Sequence, residues 1–261
     1  MNLKTKLFLI LWLAGLVGIL SFLLVDLSAL LANFPGQAVE ELPPIPALKF
    51  LTLIQPSVIL TVAVLIGVVL GSKVGLSSPA AEALASGGEV ISALKPQILP
   101  GIIGGLAGGA GIVLTGLATK PFLSPEVIQR LTDFGKLLPL PTRFLYGGIT
   151  EELLLRWGLM TLLVWIAWRL FQRGGNKPKP GYFVAAILIS SIVFGIGHLP
   201  VAFMLVPRPT LALVCYVIVA NSIFGLIAGH LYWKKGLESA MIAHMLAHVV
   251  MVTASYFGVY F

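Results

Sequence analysis

Long stretches without a charged side chain dominate the chain and alternate with short polar connections. A helix that crosses a hydrocarbon core about 30 Å thick needs roughly 20 mostly apolar residues. That criterion predicts seven spans: Leu7–Val25, Phe50–Ser72, Pro96–Thr119, Arg143–Leu170, Gly181–Val206, Thr210–Trp233 and Gly236–Tyr260. The first follows Lys4 and Lys6 as a secretory leader would. Its apolar stretch exceeds a leader's usual length and lacks a clean small-residue cleavage site, so it reads as a retained anchor. Between Phe122 and Leu140 the period changes. Glu126, Arg130, Asp133 and Lys136 recur there every three or four residues, which predicts an amphipathic helix lying at the membrane interface. Read as a re-entrant or eighth span instead, that segment would invert everything before it.

Composition agrees with this pattern. Of 261 residues 58% are apolar and 10% charged, with a mean hydropathy of +1.00; a soluble domain carries about 45–50% and 25%. A soluble protein is excluded, and the expectation is an all-α, polytopic transmembrane helix bundle of seven or eight spans, multi-pass in the cell membrane. The formal charge of +7 is then topology rather than a nucleic-acid footprint, and no nucleic-acid partner is expected. With seven crossings from a cytoplasmic amino end, Lys4/Lys6, Arg169/Arg173/Lys177/Lys179 and Lys234/Lys235 all fall on one face. Asp26, Glu40, Glu41 and Arg208 fall on the other. The single cysteine, Cys215, offers neither a disulfide framework nor a thiolate zinc site. Gly101, Gly104, Gly105, Gly108, Gly109, Gly111 and Gly116 crowd the third run. Without a preceding strand or a lysine they make no phosphate loop, and they predict close helix packing through overlapping G-x-x-x-G steps.

Ionisable groups deep in lipid are costly and usually functional. Glu151 and Glu152 are the acids that fall inside a span, and all four histidines lie in the last third. His230 sits near the end of its span beside Tyr232 and Trp233, an interfacial position. At 1.5 Å of rise per residue, Glu151, Glu152 and His198 lie roughly 12–14 Å below one membrane boundary. His244 and His248 lie about 16 and 10 Å below the same boundary. Three helices thus bring polar groups to a common level. Glu152 and Arg156, four residues apart, share a face and can pair. Glu151 points about 100° away on an α-helix and has no partner on its own helix, which makes it the better general base. Phe194 stands one turn before His198, so its ring lies beside the imidazole. His244 and His248 share a face at a spacing also used by zinc ligands, but Met245 stands where H-E-x-x-H has its glutamate. Asn221 in the sixth run is read as a helix–helix hydrogen bond.

These residues resemble a family. EELLLR at 151–156, FGIGH at 194–198 and HMLAH at 244–248 are similar, in order, to the E-E-x-x-x-R, F-x-x-x-H and H-x-x-x-(Asn/Asp) motifs of the CPBP family, the CAAX prenyl and bacteriocin-processing (Abi) intramembrane proteases. The resemblance covers roughly 143–250. It implies an intramembrane endopeptidase in which Glu151 and His198 hold and activate water, His244 and His248 stabilise the oxyanion, and Glu152, Arg156 and Phe194 support them. His248 departs from the usual Asn or Asp, although a neutral imidazole still donates one hydrogen bond. The implied organisation is one integrated membrane domain: residues 1–142 supply N-terminal spans and the interfacial helix, and 143–261 a four-helix catalytic core. The implied substrate is a membrane-embedded or lipidated peptide or protein, and no cofactor is expected. A zinc enzyme using Glu151, His198, His244 and His248 is the alternative, since these are carboxylate and imidazole ligands in sufficient number. Beyond proteases, the same residue types suit a proton-coupled transporter or a non-enzymatic membrane scaffold.

Overall fold

The computed structural model describes residues 1–32, 43–172 and 177–260. Among these, seven helices are long and apolar enough to cross a membrane: Leu3–Leu24, Ile45–Val74, Val90–Phe122, Leu140–Phe171, Pro180–Leu205, Leu211–Lys235 and Leu237–Tyr256. They are called spans one to seven here. Each coincides with a predicted run, although spans two and three start several residues earlier than hydropathy alone indicates. The architecture is the expected all-helical bundle. Glu40, Glu41 and Arg173, which entered the charge assignment, lie outside the described residues.

The segment between spans three and four folds as the helix Pro125–Leu137, with Ser124 capping its amino end by accepting from the Val127 N–H. At 13 residues it is about 20 Å long, too short to cross. Its charged side chains pair along one face, Arg130 with Glu126 at 3.0 Å and Lys136 with Asp133 at 3.4 Å. It is not an eighth span. A second short helix, Pro79–Ser86, was not anticipated and sits between spans two and three.

The glycines of span three divide into two faces, and each face presses on a different neighbour. A Cβ at Gly101, Gly105 or Gly109 would lie within 2.8 Å of Ile242, Ala243 and Leu246, or Val250 of span seven. One at Gly104, Gly108 or Gly111 would meet Leu231, Phe224 or Ile223 of span six just as closely. Close approach without a Cβ lets backbones pack where lipid offers no hydrophobic driving force. Span three therefore wedges against spans six and seven, as the glycine pattern predicts.

Spans one and two back span four in the same manner. Thr150 donates its hydroxyl to the Gly15 carbonyl oxygen at 2.8 Å, and Thr142 donates to that of Ser21 at 2.9 Å. Farther along, the Trp157 ring lies against Gly67, and Gly158 packs on Ala63. Span four is thus gripped from behind along its length, so its opposite face is held towards span seven.

Candidate active site

Span four is not a plain α-helix. Arg143–Glu151 and Leu153–Met160 are π-helical, with the hydroxyls of Thr150 and Thr161 lying back on the carbonyl oxygens five residues earlier, at 3.5 and 3.3 Å. Such widened turns are rare and concentrate at functional sites. They also change which way the acids face. More residues per turn means less than 100° between neighbours, so Glu151 and Glu152 do not diverge as an α-helix would make them. Both reach the same imidazole: Glu152 Oε1 is 2.8 Å from His244 Nδ1, and Glu151 Oε2 is 3.8 Å from His244 Nε2.

The Glu152–Arg156 pair expected from the four-residue spacing is present, with Nε 3.2 Å from Oε2 and both side chains fully buried. The guanidinium also donates to the Gly225 carbonyl oxygen at 3.4 Å and stands over the Phe194 ring at 5.2 Å. Burying two charges costs several kcal/mol each unless they are paired and hydrogen-bonded. Here Arg156 and His244 supply those contacts to Glu152 from its own helix and from span seven.

His198 stands where span five breaks, ending the helix Pro180–Gly197 and preceding Leu199–Leu205. Its Nδ1 lies 2.8 Å from the Phe194 carbonyl oxygen, and the two rings meet edge to face at 4.8 Å. A carbonyl oxygen only accepts, so Nδ1 carries the hydrogen, and in the neutral ring the lone pair is on Nε2. The Phe194 ring also faces His244 at 5.8 Å. His244 and His248 stack at 5.1 Å with planes 13° apart, and the buried His248 Nδ1 has no hydrogen-bond partner.

The resemblance assigns His244 to the oxyanion; the structure places it between the two glutamates, so its hydrogen bonding is coupled to theirs. His230 is exposed and 6.3 Å from the Trp233 ring, away from this cluster. Asn221 does not bridge helices: its amide donates to the Val217 carbonyl oxygen one turn earlier on the same helix, where the bond forms at no cost in packing.

Sequence reasoning overlooked four contributors. Phe224 lies 4.3 Å from the His244 ring and closes the aromatic wall with Phe194. Gly225, next to it, supplies the carbonyl that Arg156 uses. Gly147 and Gly148 admit span seven: a Cβ on Gly147 would stand 2.6 Å from His248 Nε2, and one on Gly148 would collide with Met245. The paired glycines just upstream of the acids were the available signal.

A bound zinc ion needs three or more such ligands around one point. Among the described residues no group of three or more His, Cys, Asp or Glu side chains is arranged in that way. The His244 nitrogen nearest a carboxylate is directed at Glu152 and not towards a shared centre. As it stands, the donor set does not fit the zinc alternative.

No curated protein and no solved structure matches the chain. Residues 133–250 do match the family model described as type II CAAX prenyl endopeptidase Rce1-like, a stretch that holds Glu151, Glu152, Arg156, Phe194, His198, His244 and His248. That segment, somewhat under half of the chain, is similar to the CPBP/CAAX protease family.

Proposed function

We propose that this protein is an intramembrane endopeptidase in which Glu151 and His198 activate the attacking water, and that its substrates are lipid-modified proteins cut near their C-terminus. One observation carries the reading. Two adjacent carboxylates have been given different surroundings: Glu152 is fully buried and held by Arg156 and His244, whereas Glu151 is partly exposed and stands beyond hydrogen-bond distance of the same imidazole. The first is a fixed support. The second is free to take a proton.

A water held between Glu151 and the lone pair on His198 Nε2 is engaged through both hydrogens, which leaves an oxygen lone pair for the substrate carbonyl. As the oxygen–carbon bond forms, one water proton passes to Glu151. Collapse of the tetrahedral adduct breaks the carbon–nitrogen bond, and Glu151 returns the proton to the departing amine. His248 donates a ring N–H to the oxyanion, joined by His244 Nε2 when that ring carries both protons. Glu152, Arg156 and Phe194 hold His244 and His198 in register. The test is cleavage of C-terminally lipidated peptides by the purified protein in bilayer discs, compared with Glu151→Gln. Wild type is expected to cut and the variant to leave the peptide whole; equal rates overturn the base assignment. Terminal proteomics of cells carrying either form would then identify natural substrates.

A further inference from the structure

At the end of the bundle opposite Lys234 and Lys235, a cavity of about 280 Å³ opens beside the interfacial helix. It lies between the amino end of Pro125–Leu137 and the loop joining spans five and six, and its polar lining comes from Ser124, Glu126, Arg130, Arg208 and Thr210. None of these residues belongs to the catalytic cluster. We infer that the cavity binds the phosphate of an anionic phospholipid headgroup.

Charge is the first argument. Arg130 Nε and Nη2 hold Glu126 Oε1 at 3.1 and 3.0 Å, so the carboxylate in the lining is already neutralised by one guanidinium. Arg130 Nη1 also faces the Leu205 carbonyl oxygen at 3.5 Å, which fixes that side chain against span five. Arg208 is exposed, and among the described residues no carboxylate pairs with it. The cavity thus keeps one uncompensated cation of the type that binds phosphate through two parallel N–H donors.

The rest of the lining suits the same ligand. Ser124 and Thr210 are both helix caps, each accepting from a backbone N–H three residues on at 3.3 Å, and each retains its own hydroxyl hydrogen. Two helices therefore begin at one cavity, and the first-turn N–H groups that have no acceptor inside the helix lie at its wall. Position selects the source of the phosphate. The mouth lies where spans five and six leave the apolar layer, beside an amphipathic helix, which is headgroup level. A net charge of one favours an anionic headgroup such as phosphatidylglycerol over a zwitterionic one that brings its own cation.

The experiment titrates the delipidated, detergent-purified full chain with phosphatidylglycerol or phosphatidylcholine, reading bound lipid by native mass spectrometry. Arg208→Gln should weaken phosphatidylglycerol binding roughly five- to tenfold, the loss of one charge-assisted contact, and Arg208→Lys should recover most of it. Arg169→Gln removes an exposed charge at the other end of the bundle and should change nothing. Millimolar inorganic phosphate should not displace the lipid. The proposal is overturned if Arg208→Gln binds like wild type, if Arg169→Gln loses as much, if phosphatidylcholine binds as tightly, or if inorganic phosphate competes. Arg208 lies in an exposed loop, so an unchanged thermal midpoint in lipid-free detergent separates lost binding from lost fold. None of these readouts depends on proteolysis.

Discussion

Span seven carries a carboxylate contact at each of two levels, and the two differ in what they ask of the acid. At its amino end, Glu238 Oε1 accepts from the Ser78 hydroxyl at 2.7 Å and from the Ala80 and Ala81 N–H groups at 3.0 Å, anchoring the short helix Pro79–Ser86 to the start of the span. The same junction is tied by Leu237 N–H to the Ser77 carbonyl oxygen and by Ser239 N–H to Gln97 Oε1, each at 3.1 Å. Gly236, at φ 114°, makes the turn, in a space that a Cβ would have to share with Pro79 and Gln97. Six residues further on, His244 meets two acids, one hydrogen-bonded and one not. Three neutral donors on one oxygen make a joint. Glu151, which stands beyond hydrogen-bond distance of the same imidazole, is the acid proposed to exchange a proton, so the two levels differ in their surroundings and not in the presence of charge.

The comparison breaks most sharply at Glu151. Glu151→Gln should lower the cleavage rate by about 10²–10⁴-fold, the usual worth of a positioned acid or base, with the thermal midpoint unchanged. Next comes Glu152→Gln, which leaves the fully buried Arg156 without its counter-charge. We expect a loss of about 3–5 kcal/mol, seen as a lower unfolding midpoint, together with lost activity. Gly147→Ala probes the approach of span seven: its Cβ would press on His248 Nε2, costing about 1–3 kcal/mol of packing. Its kcat should fall more than its KM rises if the displaced imidazole serves the reacting carbonyl, as proposed, and not the substrate's tail. Glu238→Gln should do the reverse of Glu151→Gln. It keeps an acceptor oxygen but loses the charge, so stability should drop by about 1–2 kcal/mol, read as a lower midpoint, while kcat per folded molecule holds. The smallest effect belongs to Asp133 on the interfacial helix, whose pKa is lowered by its hydrogen bond from Gln129 and by Lys136. A lowered folded-state value stabilises above the ordinary carboxylate range and is lost as pH falls through it, so acid titration should loosen this helix slightly without touching spans four to seven. Amide exchange along residues 125–137 between pH 6 and 3 is the measurement.

Much of this was legible in the residue pattern. The seven spans, the interfacial helix, the glycine wedge of span three, the Glu152–Arg156 pair and the Phe194–His198 edge-to-face contact all depend on spacings along one helix, which a helical period converts directly into geometry. What could not be read were contacts between helices and departures from the α period. Nothing local announces that span four is π-helical, that His244 would stand between both glutamates, or that Phe224 and Gly225 on span six would complete the wall around Arg156 and His244. Asn221 shows the same limit from the other side, since a polar residue in a span was read as an interhelical bond and satisfies itself within its own turn.

The chain's own order of residues was enough to place it in lipid, to bound its crossings at seven or eight, and to pick out which side chains are too polar to be there without a reason. Those are consequences of transfer free energies and helical rise, and they add up residue by residue. Tertiary structure alone decided how His244 is shared between Glu151 and Glu152, a division that the four-residue spacing to Arg156 had only begun. Beyond Arg156 on their own helix, the two neighbouring acids differ in what the other helices bring to them: Thr150 anchored on span one, glycines that admit span seven, and an imidazole placed where one carboxylate is bonded and the other is left open.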